Sequence, residues 1–269
     1  MEILLLIGRK FYAICIACLG IQQLFYLDFR PVFAPDSSWL PGLPIVAALF
    51  SFWLIISGFA LFFERRGKSF ALMLGWVFLV LFAGYHVPHL LFINPYGMIF
   101  GAWVNALKEL ALAGGAFAIA QSYGEDNPKE THPYFTSLSS IAPWGKLFFS
   151  MVMLLFGLTH FVYTDFAVKL VPSWIPGSYF WTYFSGIALI SSGALIILKI
   201  RVKEIALLLG IMIFLWFMLL HLPRTFADPW GNKGNELTSA LQALGFSGIA
   251  LIISGLAAQS NITAQNRQA

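Results

Sequence analysis

The sequence contains very little charge. Of its 269 residues, 16 are Lys or Arg and 12 are Asp or Glu, so charged residues make up 10% of the chain. In soluble domains about a quarter of the residues are charged. The charges of this chain are too few to cover the surface of a water-soluble fold of its size. Together with 59% apolar residues and a mean hydropathy of +0.80, this scarcity excludes soluble enzymes and disordered chains. It indicates an all-α, polytopic integral membrane protein.

Cysteine is nearly absent as well. The two cysteines, Cys15 and Cys18, are too few for a disulfide framework, which excludes the disulfide-stapled class. Their C-x-x-C spacing is typical of redox motifs, but it lies in an apolar stretch where hydrocarbon disfavours a thiolate. We therefore interpret both as small apolar residues of a buried helix.

The ends and the basic clusters of the chain carry no targeting or nucleic-acid signal. Residues 1–7 and the following Arg9 and Lys10 lack the basic start and small-residue cleavage site of a secretory signal, so we expect no removable signal peptide. The net charge of +4 comes from short basic clusters between apolar stretches, which orient a membrane protein and do not indicate a nucleic-acid partner.

Eight apolar stretches are long enough to cross a membrane, for which about 20 residues are needed. Because lipid offers no water to backbone groups, these stretches are predicted to be helices. Polar segments at 64–68, 121–136 and 199–203 separate several of them. The predicted spans are 10–28, 44–63, 69–91, 99–120, 146–164, 179–198, 204–222 and 236–258.

The basic residues divide unevenly between the two sides of these spans. Eleven fall on one side and four on the other, with Lys108 inside a span. The positive-inside bias therefore predicts that both termini are cytoplasmic. The eleven are Arg9, Lys10, Arg65, Arg66, Lys68, Lys129, Lys146, Lys199, Arg201, Lys203 and Arg267, and the four are Arg30, Lys169, Arg224 and Lys233.

The two halves of the chain repeat each other. Residues of the first half recur 137 positions later near its start, 135 later in its middle and 134 later near its end. Each half contains four predicted spans, an even number, so both insert in the same direction. We expect two parallel four-helix bundles side by side: a first repeat at 1–120, a cytoplasmic linker at 121–143, a second repeat at 144–258 and a polar tail at 259–269. Matched pairs include Gly8 with Gly145, Trp39 with Trp174, Gly58 with Gly193, His86 with His221 and Gly114 with Gly248.

Polar residues concentrate on the predicted outer side. Four of the five histidines lie at outer helix ends, and Trp-x-Pro-Gly loops follow the first span of each half. The His-x-Pro motifs at His86 and His221 have two interpretations, because a proline loosens the helix end and frees carbonyls. Each histidine either caps such carbonyls or exchanges protons with a ligand. The polar residues near these two are His89, His160, Asp28, Arg30, Asp165, Arg224, Asp228 and Glu236.

Two further features of these spans have open interpretations. Arg224 can snorkel to headgroups, pair with Asp228 or bind an anionic or carbonyl-bearing ligand. His86 and His89 have a spacing that could hold a metal, but Arg224 replaces His89 in the second half, so neither metal nor haem is predicted.

Three polar residues share one face of the fourth span. A charge at their depth must face the protein interior and have a partner. Two interpretations are possible: the two charges neutralise each other as a structural pair, or they form a ligand site inside the membrane. The three are Asn105, Lys108 and Glu109.

The Trp-x-Pro-Gly loops, the Ser-Gly pairs of the second spans and the His-x-Pro motifs resemble the DoxX/DoxD-like family of small four-helix membrane proteins. The chain is similar to two such units in tandem, and the second half fits better, through 157–161, 171–177, 221–224 and 236–248. The first half departs where Gln23 replaces His160 and where His89 replaces Arg224. The resemblance implies a membrane subunit of a redox system in a bacterial inner (plasma) membrane, similar to thiosulfate:quinone oxidoreductase.

This resemblance sets the functional expectations. A quinone would stack on aromatic rings, while His and Arg hydrogen-bond its oxygens, and a soluble or membrane oxidoreductase would be the partner. The alternatives are a small-solute or lipid carrier using the cleft between the repeats, with Lys108 and Glu109 at its centre, or a structural anchor of a larger complex. The residues expected to act on protons are His221 and His86, and those expected to bind the cofactor are Arg224, Trp174, Trp39, His160 and Asp165.

Overall fold

The described part of the chain is helical throughout. The computed structural model describes residues 2–35, 41–124 and 138–266, with side chains described through residue 260. None of these residues forms a strand, and the all-α prediction is confirmed. The α-helices are α1 (Glu2–Tyr26), α2 (Leu43–Phe62), α3 (Gly67–Leu81), α4 (Val104–Gln121), α5 (Gly145–Val162), α6 (Thr164–Leu170), α7 (Ser178–Ile197), α8 (Val202–Trp216), α9 (Leu222–Ala227) and α10 (Gly231–Asn266).

Short helices of other types extend or precede several of these. Three turns are π-helical and two are 3₁₀-helical within the described ranges. Inside α10, residues 232–234 have left-handed backbone angles, so the long straight helix begins after them. The π-helical turns are Phe82–His86, His89–Ile93 and Phe217–His221, and the 3₁₀ turns are Phe100–Trp103 and Ala142–Trp144.

Seven helical segments are long and apolar enough to cross a membrane, which is the architecture of a multi-pass membrane protein. They coincide with seven of the eight predicted spans. The helix in the remaining predicted span, α4, is not among them, because Asn105, Lys108 and Glu109 lower its hydropathy. The seven segments are Glu2–Tyr26, Leu43–Phe62, Gly67–Ile93, Ala142–Val162, Ser178–Ile197, Val202–Ala227 and Gly231–Ser260.

Helices α4 and α10 form the centre of the assembly. They pack against each other, and most residues of both are buried, whereas the other helices expose many large apolar side chains. Helix α10 also packs on α1 and α8, and α4 also packs on α3 and α5. Helix α1 also packs on α2, and α5 also packs on α7. The apolar outer surface is what a bilayer requires, and the core lies around the two central helices.

The closest helix crossings occur at glycines. A Cβ atom added to Gly8 would lie 2.6 Å from the carbonyl oxygen of Gly248, and one added to Gly145 would lie 2.5 Å from that of Gly114. Small residues let helix backbones touch in this way, as in many membrane proteins. The contacts α1–α10 and α4–α5 therefore depend on residues without side chains.

The two ends of the assembly differ in charge. We call the end that carries Arg9, Lys68, Lys146 and Lys203 the basic end, and the end that carries the four histidines the histidine end. Helix α1 begins at Glu2, eight residues before the predicted start. Its two cations, Arg9 and Lys10, can lie within the helix because each has a partner on another segment. Arg9 lies over the ring of Tyr123 and Lys10 donates to the carbonyl of Phe62.

Candidate functional site at the histidine end

His86 and His221 each end a π-helical turn, Phe82–His86 and Phe217–His221. A proline follows two residues later in both cases and has no N–H to donate to the preceding turn. The helix widens where that hydrogen bond is lost, and such widened turns are frequent at functional sites. The sequence motif therefore corresponds to a backbone feature that occurs in both halves.

The ring of His86 is enclosed, with 1% of its surface exposed. Its Nε2 lies 2.9 Å from the carbonyl oxygen of Val32 and 3.2 Å from Oε2 of Glu109. Glu109 is fully buried, and neither of its carboxylate oxygens receives a hydrogen bond of normal geometry. The carbonyl is thus the better-aligned acceptor for the ring N–H, and the carboxylate is the neighbouring charge.

Burial places a condition on the protons of this pair. An isolated carboxylate in a water-free interior is very costly, and a neutral His86 beside a charged Glu109 would leave one uncompensated charge. One additional proton, on either the ring or the carboxyl group, makes the pair neutral as a whole. We therefore expect His86 and Glu109 to share one such proton.

Two more buried polar residues, Gln23 and Arg30, lie near the end of α1 and just after it. Arg30 is 2% exposed, and its backbone N–H donates to Oε1 of Gln23 at 3.2 Å. The side-chain amide of Gln23 donates to the carbonyl of Ala47. The guanidinium of Arg30 faces the ring of Tyr26, and its Nε has no partner. Burial lowers the pKa of Arg30, an effect that Tyr26 and Asp28 oppose. Sequence reasoning placed Arg30 among the outer loop cations and gave no signal of its burial.

In the second half, Arg224 makes a bidentate ion pair with Glu236. Its Nε donates to Oε2 at 2.8 Å and a terminal nitrogen donates to Oε1 at 2.5 Å, while another reaches the carbonyl of Leu170 at 3.3 Å. Of the partners weighed for Arg224, Asp228 is not the one observed, because its Oδ1 accepts the N–H of Gly231 at 2.9 Å. Glu236 was noted at this end but not as the partner.

Lys108 and Glu109 lie in different clusters. Glu109 faces His86, whereas Lys108 lies close enough to Glu236 and His221 to interact with them electrostatically. Neighbouring residues on a helix point in different directions, so one helix serves both clusters. The contacts of Lys108 and Glu109 therefore give no support to a mutually neutralised pair of these two residues.

His221 is surrounded by charge but incompletely bonded. Lys108, Arg224 and Glu236 all interact with its ring, yet its buried Nδ1 has no hydrogen-bond partner. Buried polar atoms in folded proteins are nearly always paired, with protein, water or a ligand. An unpartnered nitrogen beside an anchored arginine is therefore a candidate contact point for a ligand oxygen.

The remaining predicted site residues are exposed, half-buried or bonded within their own helix where the structure describes them. Trp174 is 60% exposed, Asp165 is exposed at the start of α6, and Asn105 is half-buried on α4. The Nδ1 of His160 lies 2.8 Å from the carbonyl oxygen of Phe156 in its own helix. Trp39 lies outside the described residues.

The described residues contain no group of three or more His, Cys, Asp or Glu side chains that could hold a metal ion. His89, the second histidine of the metal hypothesis, packs its ring against Tyr85, with the centroids 6.2 Å apart. Comparisons of the chain with family models, with curated proteins and with solved structures find no match.

Proposed function

We propose that the chain crosses the membrane eight times, in two parallel four-helix repeats, with α4 as the additional span. The helix contacts support this, because each occurs twice with the halves exchanged. Helix α1 packs on α2 and α10, and α5 packs on α7 and α4; likewise α3 packs on α4, and α8 on α10. Such pairing is expected of two repeats around one axis. In this arrangement the first helix of each repeat packs on the last helix of the other, so the repeats interlock.

The glycine contacts support the same architecture at atomic detail. Gly8 meets Gly248 and Gly145 meets Gly114, which are matched positions with the halves exchanged. In three further matched pairs of glycines, both members contact residues at matched positions. Gly58 packs on Ala17, and its counterpart Gly193 packs on Leu154. The other contacts are Gly20 on Ser51 with Gly157 on Gly186, and Gly75 on Phe117 with Gly210 on Leu251.

The low hydropathy of α4 is compatible with a span in this position. A helix enclosed by other helices meets little lipid, so its polar groups need protein partners and not an apolar face. Glu109 has His86, and Lys108 has Glu236. The distribution of basic residues further supports cytoplasmic termini, and the motifs support a DoxX/DoxD-like protein of a bacterial inner membrane.

The function that the geometry supports best is that of a membrane redox subunit that binds a quinone at the His221 cluster. The observation that carries this proposal is the buried Nδ1 of His221, without a partner, beside the Arg224–Glu236 ion pair. A quinone has two carbonyl oxygens, and its reduction takes up two electrons and two protons. A buried imidazole nitrogen with no protein partner fits one such oxygen.

The residues of the cluster have distinct parts in this proposal. His221 hydrogen-bonds the ligand oxygen and passes a proton to or from it. Glu236 holds Arg224 in place through two parallel hydrogen bonds, so the position of the guanidinium next to His221 is fixed. Lys108 adds positive charge on the opposite helix, which favours a ligand oxygen that gains negative character. The electrons come from a soluble or membrane oxidoreductase partner.

The test measures quinone bound to the protein as it leaves its own membrane. The chain and its variants are released in mild detergent, and quinone per protein is quantified by mass spectrometry. We expect His221→Ala to retain about tenfold less quinone than the original chain, since a hydrogen bond to the ligand is lost. His221→Asn, which keeps a polar atom near the Nδ1 position, should retain an intermediate amount.

His89→Ala is the matched control, because His89 is a histidine at the same end that packs on Tyr85. It should retain quinone as the original chain does. Absence of quinone from the original chain, or equal retention by His221→Ala, would contradict the proposal.

A second candidate, a carrier for a small anionic solute, is favoured by the position of Lys108. This cation lies on α4 and interacts with Glu236 on α10, across the contact between the two halves. A carrier predicts that Lys108→Leu abolishes uptake or export of a solute in vesicles, whereas the quinone proposal predicts that bound quinone falls. Unchanged movement of every tested solute would exclude the carrier.

A further inference from the structure

A cavity of about 730 Å³ opens at the basic end, opposite the histidine end. It lies among the basic-end termini of α3, α4, α5, α8 and α10. Its apolar walls include Leu72, Ala120, Ile253 and Leu256, and its polar lining is dominated by cations. The lining cations are Lys68, Lys146, Lys199, Arg201 and Lys203.

The charge of this lining is strongly one-sided. Glu204 is the only acidic residue among the described lining residues, and it lies 3.9 Å from Arg201 in an exposed ion pair. Lys68 donates to the carbonyl of Gly124 at 2.9 Å, which fixes its ammonium group at the rim. Several cations around one cavity, with a single acid, attract an anion.

The equivalent corner of the first half is filled. There the hydroxyl and ring of Tyr123 lie directly against Gly67, and Arg9 covers the Tyr123 ring, 4.5 Å from its centroid. Glu64 lies 3.6 Å from Arg9. The aromatic ring, the cation and the carboxylate thus occupy the space.

The second half replaces each of these residues. The position 134 after Tyr123 is Ala257, and the position 135 after Glu64 is Lys199. The cation is retained, since Lys146 stands 137 after Arg9. Ala257, Lys199 and Lys146 all line the cavity. Loss of the ring opens the space, and the position of the Glu64 carboxylate is taken by a cation, Lys199.

We propose that this cavity binds the phosphate group of an anionic ligand. The positive-inside bias accounts for basic residues at this end, but it does not account for a cavity beside Ala257 where the matched corner beside Tyr123 is filled. Lysine and arginine around the opening suit a phosphate, and the apolar walls suit the carbon skeleton beside it. Such a phosphate belongs either to the headgroup of an anionic lipid or to a soluble phosphate compound.

The test compares two variants that rebuild the first-half corner with one control. Ala257→Tyr, made together with Val202→Gly because Gly67 is what admits the Tyr123 ring, refills the space, and Lys199→Glu restores the acid. Arg65→Glu makes the same charge change at an exposed position of the basic end that does not line the cavity. Purified full-length protein is stripped of lipid in detergent, and binding of phosphatidylglycerol is measured by native mass spectrometry. Inorganic phosphate and ADP are measured in parallel by calorimetry.

We expect at least one of these probes to bind the original chain, and Lys199→Glu and the double variant Ala257→Tyr/Val202→Gly to weaken it by about tenfold or more. Arg65→Glu should change it less than about twofold. Binding of phosphatidylglycerol alone identifies a lipid site, and binding of phosphate or ADP identifies a soluble ligand. No binding by any probe, or equal weakening by Arg65→Glu and Lys199→Glu, would overturn the proposal. Because the cavity is remote from His221, quinone retention in these variants separates this result from the redox proposal.

Discussion

His86 and His221 stand at equivalent positions of the two halves and end the same kind of π-helical turn, yet their surroundings differ. His86 is enclosed between a carbonyl and the buried carboxylate of Glu109. His221 has a buried nitrogen without a partner, beside an arginine that Glu236 already holds. The position equivalent to Glu109 is Ala243, so the second half lacks the carboxylate that engages the first histidine. The two halves share the backbone feature, and the difference in partners is the basis on which we propose a ligand site at His221 and a stabilising role for His86.

The basic end shows the same contrast. The corner that Tyr123 fills in the first half is the cavity beside Ala257 in the second. At both ends the first-half position is closed by side chains of the first half, whereas the matched second-half position has an unpartnered nitrogen or an open cavity, to which Lys108 and Lys68 of the first half also contribute. We infer that the first half mainly supplies stability and the second half mainly supplies binding.

The largest expected effect breaks this comparison at the histidines. His86→Leu leaves the Glu109 carboxylate buried without a neighbouring cation or proton donor, which costs about 3 kcal/mol of unfolding free energy. The double variant His86→Leu/Glu109→Leu should recover most of that loss, because no buried charge remains. His221→Leu should cost about 1 kcal/mol or less, since Arg224 and Glu236 still neutralise each other. Unfolding in detergent, followed by circular dichroism, measures all three.

A loss on His221→Leu as large as that on His86→Leu would show that both histidines are structural. Failure of the double variant to recover stability would show that the volume of the imidazole, not the charge of Glu109, sets the cost.

A smaller effect tests whether the halves are equivalent where the backbone alone is concerned. Gly8→Ala and Gly145→Ala each place a methyl group about 2.5–2.6 Å from a carbonyl oxygen of the opposing helix. We expect both to lower the unfolding free energy equally, by about 1–3 kcal/mol, as overpacking does. Gly84→Ala is the control, because a Cβ there would meet nothing within 4 Å. Strongly unequal losses at Gly8 and Gly145 would argue against interlocked repeats.

Much of the fold could be predicted from the sequence, because membrane helices carry a strong local signal. Seven spans are found where long apolar runs predicted them. The start of α1 was misplaced, since sequence alone does not show that Arg9 can reach the Tyr123 ring while inside the helix. The predicted fourth span has too low a hydropathy to be found in the same way, because it contains Asn105, Lys108 and Glu109.

The partners at the candidate site could not be predicted in the same way. His86, His221 and Arg224 were identified from motifs, but which residues face them depends on contacts between segments far apart in the chain. A pair of Glu109 with its sequence neighbour Lys108 was one of two open interpretations, and nothing in the sequence indicated that Glu109 faces His86. The exposure of Trp174 could not be predicted either, because an aromatic residue in a loop motif suits a ligand site and a membrane interface equally well.

The smallest expected effect concerns an ion pair that one half has and the other lacks. Lys233 donates to Oδ2 of Asp28 at 2.6 Å with 61% of its side chain exposed, and the positions equivalent to these two are Ile99 and Asp165. Exposed ion pairs contribute little, so Lys233→Gln should lower the unfolding free energy by about 0.5 kcal/mol or less. The loss should vanish in high salt. Lys169→Gln, at an exposed cation of the same end, is the control and should have no effect.

Helices α1 and α10 are also joined by buried hydrogen bonds close in sequence to this pair. Gln22 donates to the carbonyl of Gly234 at 2.6 Å and accepts from Thr238 at 2.8 Å. These two hydrogen bonds are shielded from water, so they and the Gly8–Gly248 crossing hold α1 against α10 when the ion pair is removed. A loss above about 1 kcal/mol on Lys233→Gln that persists in high salt would contradict this order, because a screened surface pair cannot supply it.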